Sequence, residues 1–382
     1  MKAAIVHNHP IHYKHLLFSE LTRQGLDFDV IFLAGRSSIR YEPIDLSGRL
    51  YRHHIAWPGT YETAPAWRRA IFPWRNLGRL SPGVVIVSGY YAVECWSAWL
   101  WAQLHRKPVI LWFESNEFDY PRHWPKELLK RIFCRRVQRA HVYGQTNREY
   151  LIKLGIQPER IDVKRAVVDV ERFAVARPRG FPERRPRRLL YVGRLSPEKN
   201  LSFLLRAFAS GVREHGPGRI RLAIAGTGPG EEALRREART LGIEDHLEFL
   251  GYVPQKDLPA LYESADFFVL ASTQECWGLV VLEAMSAGLP VLVSTRCGCA
   301  VDVVTAENGW TFSPFRIGEL AALIASLPNL ETERLKAMGE VSLSIARQYS
   351  AANCARIVIW SATEVFQAAG AGRSAVRSGA AA

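Results

Sequence analysis

Short runs of β-branched and aliphatic residues alternate with helix-length segments along the whole chain. In the first half these runs predict strands at Ala3 to Val6, Phe28 to Leu33, Val84 to Val87, Val109 to Trp112, His141 to Tyr143 and Ile161 to Lys164. Six more follow at Leu189 to Val192, Leu222 to Ala225, Leu247 to Leu250, Phe267 to Leu270, Val291 to Val293 and Trp310 to Phe312. Alternating strand and helix signals are the signature of parallel sheets covered by helices on both faces. The prediction is therefore α/β, two doubly wound domains facing across a cleft. Sheets of this kind bind ligands outside the carboxyl ends of their strands, so the site is expected between the domains.

Between the halves, residues 174–188 read A-V-A-R-P-R-G-F-P-E-R-R-P-R-R, rich in proline and arginine and without apolar periodicity. That composition is a linker. The expected organisation is a first domain over 1–173, the linker, and a second domain over 189–350. A helix over 351–368 is a candidate to cross back to the first domain, and 369–382 has too little to bury and is expected to be a disordered tail. Val84 to Leu104 is about 21 residues long with Glu94 as its only charge, near the length of a membrane span. Its β-branched start and the Ser88-Gly89 turn favour a buried strand followed by a helix.

Composition changes the picture in two places. Lys and Arg exceed Asp and Glu by 50 − 37 = +13, and the split at residue 186 is 30 − 17 = +13 before and 20 − 20 = 0 after. One half is thus suited to an anionic partner. The six cysteines (Cys95, Cys134, Cys276, Cys297, Cys299 and Cys354) show no CxxC pair and no histidine at zinc-ligand spacing. They read as reduced thiols of a cytoplasmic protein, and the first residues lack the apolar run of a signal peptide.

Three segments carry the chemistry. In Y-V-G-R-L-S-P-E-K-N, residues 191–200, a strand ends and a helix follows, with Arg194 and Lys199 on the turn. Free N–H groups and the helix dipole converge at such a turn, and two cations added there make a diphosphate site. A second glycine-rich turn, A-G-T-G-P-G, spans 225–230 and lies between a strand and the predicted helix Glu231 to Leu241. In the third, E-C-W-G-L-V-V-L-E, Glu275 and Glu283 are eight apart, and a helix is predicted to begin near Gly278 or Leu279 and to end at Ala287, with Gly288 as a left-handed cap. Two carboxylates with amides between them suit an uncharged polyhydroxyl ligand attached to a charged one.

Taken together, V-G-R-L-S-P-E-K-N, G-T-G-P, F-L-G-Y-V at 249–253, the spaced glutamates, E-A-M-S-A-G-L-P-V and E-N-G-W at 307–310 resemble the family 4 (group 1) glycosyltransferases, retaining enzymes of the GT-B fold that use sugar nucleotides. The motifs cover about residues 189–315 in the family's order, and V-V-D-V-E-R-F at 167–173 resembles the family's segment before the linker. The resemblance implies a GT-B pair of Rossmann-like domains and transfer of a sugar from a nucleoside-diphosphate sugar to an acceptor hydroxyl with retention. It implies that Arg194 and Lys199 hold the donor diphosphate and its leaving charge, and that Glu283 bonds the ribose. Glu275 with the N–H groups of Trp277, Gly278 and Leu279 would hold the sugar. Gly193 and Gly226 belong to the donor loops, and backbone near Tyr252 and Val253 would meet the base. Neither a cofactor nor a metal is expected.

The first half departs from the family. After the first strand the chain reads H-N-H-P-I-H-Y-K-H, where His9 and His12 are acceptor-side candidates, although loop histidines without a ligand would look the same. The spacing of His9, His12 and His15 is that of one helical side. Where many members carry a histidine after the strand ending at Trp112, this chain has F-E-S-N-E, and Glu114 is the candidate for that place.

The basic excess concentrates in W-R-R-A-I-F-P-W-R-N-L-G-R at 67–79 and in the amphipathic stretch 125–139, whose charge is +6 − 1 = +5. Apolar anchors beside cations suit an anionic membrane surface, and a packed helix with a solvated basic face is the alternative. The expected partners are a nucleotide sugar, a saccharide or lipid-linked saccharide acceptor in surface polysaccharide or glycolipid assembly, and that membrane surface. No nucleic acid is expected, since no zinc finger or RNA-recognition signature accompanies the charge. A nucleotide-sugar epimerase or a sugar phosphorylase on the same fold remains open, as does a non-catalytic basic binding protein.

Overall fold

A computed structural model describes residues 1–38, 48–119, 122–163, 166–174, 186–215 and 218–379. The chain divides into two units, the first holding Met1–Ser115, Tyr120–Val167 and Ala351–Ala382, the second Asn116–Asp119 and Val168–Ser350.

Among the described residues the first unit is built on seven parallel strands: β1 (Lys2–His7), β2 (Asp27–Phe32), β3 (Arg52–Ile55), β4 (Val84–Ser88), β5 (Val109–Phe113), β6 (Arg139–Val142) and β7 (Ile161–Asp162). Their order is β3-β2-β1-β4-β5-β6-β7. The β-branched runs dictate the central strands, since every residue of β4 and β5 is buried and only a sheet covered on both faces accepts that pattern. Six of the seven strands coincide in place with the predicted ones. The seventh, β3, has the sequence R-H-H-I and offers no apolar run to detect. It is pinned at the edge by polar contacts instead: Arg52 and His54 both reach the buried Asp29 of β2, at 3.4 Å and 3.0 Å.

One face of this sheet is covered by the helix His12–Arg23 and by the helix that begins at Ala351. Phe18 stacks on Trp112 at a centroid distance of 6.1 Å, and Cys354, Val358 and Ala362 are fully buried in the same core. The other face is covered by the helices Ala66–Leu80, Val93–Leu104 and Trp124–Arg135. The apolar stretch 84–104 is thus a strand and a helix, and among the described residues no helix is long and apolar enough to cross a membrane. The last helix runs Ala351–Gly379, so residues 369–379 continue it where a disordered tail was expected. The rest of the expected tail, residues 380–382, lies outside the described residues.

Among its described residues the second unit carries six parallel strands: β8 (Arg187–Val192), β9 (Ile220–Ala225), β10 (Leu247–Gly251), β11 (Phe267–Leu270), β12 (Val291–Ser294) and β13 (Gly309–Phe312). Their order is β10-β9-β8-β11-β12-β13, the doubly wound arrangement in which the direction of connection reverses between β8 and β11. Most of the expected linker, residues 175–185, lies outside the described residues. Its last two residues already belong to β8: buried Arg187 faces Asp266 at 3.8 Å, and its N–H donates to the Arg219 carbonyl at 2.8 Å. Residues 168–173 belong to this unit too, not to the first as expected. The Val168 N–H donates to the Tyr349 carbonyl at 3.1 Å, and Phe173 meets Tyr262 edge-on at 5.6 Å.

Phe18 is fully buried where the helix His12–Arg23 meets the sheet. Phe18→Ala is expected to cost about 3–5 kcal/mol, read as a lower urea midpoint by tryptophan fluorescence.

Candidate functional site

In the second unit three loops at the carboxyl ends of adjacent strands are stitched together by backbone alone. The Gly193 N–H donates to the Ala225 carbonyl at 3.0 Å, the Leu195 N–H to the Thr227 carbonyl at 3.0 Å, and the Gly226 N–H to the Gly251 carbonyl at 2.7 Å. Gly226 has φ +133°, and any Cβ there would collide with the Gly193 carbonyl oxygen. Glycine is required because two main chains pass each other without room for a side chain. This stitching brings Gly193, Gly226 and the segment entering Tyr252 and Val253 to one edge. The pairing of β10 shifts register before Gly251, and the Tyr252 side chain that follows is exposed.

The turn after β8 carries the predicted cations. Tyr191 holds it from below, its hydroxyl donating to the Arg194 carbonyl at 2.8 Å. Arg194, half exposed, pairs with Glu198 at 3.1 Å. Glu198 also accepts from the Ser196 hydroxyl at 2.6 Å, and its carbonyl accepts from the Thr273 N–H at 2.9 Å. Partial burial works to raise the Glu198 carboxyl, but the Ser196 bond with the Arg194 and Lys199 charges outweighs it, and the net shift is downward. Lys199 ends a single 3-10 turn, and its ammonium donates to the Glu275 carboxylate.

Glu275 is placed by its main chain. Its carbonyl accepts from the Gly298 N–H at 3.0 Å, and the Trp277 carbonyl accepts from the Cys299 N–H at 3.0 Å, so residues 275–277 lie along 297–299 as a short parallel ribbon. This gives Cys297 and Cys299 their role: both are buried, and burial pushes both thiols well above their ordinary range. None of the six cysteines is in a disulfide. Asn116 of the short 116–119 segment donates to the carbonyls of Glu275 and Cys276, at 3.3 Å and 3.4 Å. Trp277 is buried with its ring 6.0 Å from that of Tyr349.

Gly278, at φ +101°, caps the helix Leu279–Ser286, as the sequence predicted to within a residue. The first N–H groups of such a helix have no intrahelical acceptor and carry the positive end of its dipole. Glu283 sits just over one turn inside and accepts from the Tyr262 hydroxyl at 2.9 Å. Burial raises its carboxyl despite that bond and the Arg172 charge.

The fold therefore brings Lys199 and Glu275 into direct contact and gathers Gly193, Gly226 and Tyr252 on one edge. Arg194 and Glu283 bond to other partners, Glu198 and Tyr262. Both partners were missed by the sequence reading. Glu198 had a signal, its i,i+4 spacing from Arg194, whereas Tyr262 comes from a separate helix and had none.

In the first unit the histidines do not form one stripe. Ile11 is extended and the helix begins at His12, so His9 lies in the loop before it. The His9 ring faces Tyr61 at 6.2 Å, and the His15 ring meets the Tyr51 hydroxyl at 3.2 Å. Glu114 accepts from the Lys14 ammonium at 2.6 Å. Lys14 is almost wholly buried, with its charge 5.1 Å from the Trp112 ring, so the lysine of the histidine-rich segment is the partner of Glu114. His7 is buried behind them and bonds the His9 carbonyl at 3.1 Å. Burial, then the nearby Lys14 charge, lowers its pKa to about 3. Among the described residues no cluster of His, Cys, Asp and Glu is arranged to hold a metal.

The chain matches the family described as Glycosyltransferase Family 4 over residues 13–172 and that described as Glycosyl transferases group 1 over residues 175–342. It is 27 % identical over 368 residues to D-inositol 3-phosphate glycosyltransferase of Corynebacterium glutamicum, covering 87 % of this chain and 86 % of that one. Among solved structures it resembles sucrose-phosphate synthase of Thermosynechococcus elongatus, with a TM-score of 0.75, 17 % identity and coverage of 96 % and 99 %. It also resembles Anabaena HepE in complex with UDP and glucose, with a TM-score of 0.72, 17 % identity and coverage of 95 % and 100 %.

Because the unfolded state binds a proton at His7 up to about pH 6.5 and the folded state only near pH 3, stability should rise with pH across that window and be lost as pH falls through it. His7→Leu is expected to flatten this dependence, measured as thermal midpoint against pH.

Proposed function

The chain belongs to the group 1 (family 4) glycosyltransferases and has their two Rossmann-like domains of the GT-B fold; from that premise we propose that it transfers a sugar from a nucleoside-diphosphate sugar to an acceptor hydroxyl with retention of anomeric configuration. The observation that carries the reading is the Lys199–Glu275 pair. It joins the loops after β8 and β11, the strands between which the connection reverses and a doubly wound sheet holds its ligand. A cation for phosphate and a carboxylate for sugar hydroxyls thus meet at one point.

In this reading Arg194 and Lys199 face the diphosphate, whose charge grows as the glycosidic bond breaks. Fixed cations placed where charge develops lower that barrier without reorganising, and each is worth about 10²–10³ in rate. The donor loops at Gly193 and Gly226 let main-chain N–H groups approach the phosphates. Glu275, with the N–H groups of Trp277, Gly278 and Leu279, orients the sugar. Glu283, its carboxylate oriented by Tyr262, bonds the ribose, and the backbone of Tyr252 and Val253 borders the base. On the acceptor side His9, His12 and Glu114 are the candidates, with Glu114 held by Lys14. The acceptor we assign is a saccharide or lipid-linked saccharide of surface polysaccharide or glycolipid assembly, met at the cytoplasmic side of the membrane.

A thermal-shift panel of UDP, GDP, ADP and dTDP with their sugar conjugates tests the donor. One base should stabilise the protein, by about 2.7 kcal/mol at a hundred times its dissociation constant, and no shift with any of them overturns the reading. Lys199→Ala and Arg194→Ala should each lower turnover by about two orders of magnitude or more. Glu275→Ala should weaken the sugar nucleotide more than the free diphosphate; equal loss for both contradicts its role.

A further inference from the structure

The three helices covering one face of the first sheet are amphipathic in an unusual sense, for each keeps a second apolar stripe on its outer side. On Ala66–Leu80 the stripe is Trp67, Ile71 and Trp74; on Val93–Leu104 it is Val93, Leu100 and Leu104; on Trp124–Arg135 it is Trp124, Leu128 and Ile132. All nine are exposed, Trp124 to 80 % and Leu104 to 64 %. The inner faces are filled by other residues: Phe133 stacks on Trp99 at 5.3 Å and meets Trp96 at 5.0 Å, which sets the second and third helices side by side. The first and second are joined through the Ser97 hydroxyl, which donates to the Ala70 carbonyl at 2.5 Å. Between those two lies a groove of about 370 Å³ lined by Ala70, Ile71, Trp74, Arg75 and Ser97.

Charge on this layer has one sign. Arg68, Arg75 and Arg79 are exposed on the first helix, and Lys126, Arg131 and Arg135 on the third. The two acids do not offset them, since Glu94 is fully buried and Glu127 is bonded to Lys130 at 2.6 Å. Lys130 is thereby withdrawn from the cationic surface, a point the sequence did not reveal.

We infer that this three-helix face docks on an anionic lipid bilayer, with its aromatic and aliphatic tips in the headgroup boundary and its cations on the lipid phosphates. Rows of Leu and Ile tips have no use on a nucleic acid, and a protein partner would have to match three apolar stripes interspersed with charge of a single sign. A bilayer supplies apolar depth and negative charge together over any area. The groove, with apolar walls and one guanidinium, has the chemistry of an acyl chain beneath its phosphate. The inference goes beyond the donor reading and is tested separately from it.

The experiment is co-sedimentation of the full chain with vesicles of phosphatidylcholine alone and of equal parts phosphatidylcholine and phosphatidylglycerol. The chain should pellet with the anionic vesicles and stay in solution with the neutral ones. Arg131→Glu/Arg135→Glu/Lys126→Glu should weaken pelleting by about a hundredfold or more, from about fivefold per cation removed. Trp67→Ser/Leu128→Ser/Ile132→Ser should abolish it at unchanged charge. Both variants should keep the nucleoside-diphosphate thermal shift of the unmodified protein, which separates loss of docking from loss of folding or of the donor site. Unchanged pelleting in both variants overturns the inference, as does no pelleting of the parent chain, self-association that both variants remove, or binding of a generic duplex in place of vesicles.

Discussion

The interaction on which the candidate site depends is the ion pair between Lys199 and Glu275. It forms where the helical connections of a parallel sheet diverge, so that the loops after β8 and β11 are left facing each other with no helix between them. Neither group is deeply solvated, with about one sixth of each side chain exposed. A charge in such a place needs a partner, so the ion pair adds to the Thr273 N–H bond to the Glu198 carbonyl in tying the two loops together.

The same arrangement sets the charge balance of the candidate site. Arg194 and Lys199 are each balanced by a carboxylate of the same unit, Glu198 and Glu275. In the proposed reading an incoming diphosphate would compete for both cations, and the released Glu275 carboxylate would accept from sugar hydroxyls. The backbone stitching of Gly193, Gly226 and Gly251 fixes the edge against which this exchange occurs. Main-chain bonds hold these loops and side-chain ion pairs balance their charge, a division that suits the donor role proposed above.

In the first unit the loop after β1 is ordered from behind by a neutral imidazole, His7, and a buried ammonium, Lys14. Their proximity is self-consistent, because the lysine charge helps keep the histidine unprotonated. Asn8, on the same loop, donates to the Tyr91 hydroxyl beyond β4 at 2.6 Å, so the two loops at this sheet's own reversal point are also tied.

The two-sheet architecture, twelve of the thirteen strands among the described residues, the helix start near Gly278 and the left-handed Gly288 after its end were legible in the sequence, because these follow from local apolar runs and from backbone conformations that only certain residues adopt. It also marked Arg194, Lys199, Glu275 and Glu283 as a group, because they recur in motifs close to strand ends. It did not reveal β3, whose residues Arg52 and His54 are held by Asp29 from another strand, nor the Lys14–Glu114 pair, 100 positions apart. Nor did it separate Lys130, consumed by Glu127 and Tyr150, from its exposed neighbours. Local pattern records which face of an element is apolar. Which charge meets which across different elements, as Lys14 meets Glu114 and Lys130 meets Tyr150, is a property of distances between those elements, and only the tertiary structure sets those.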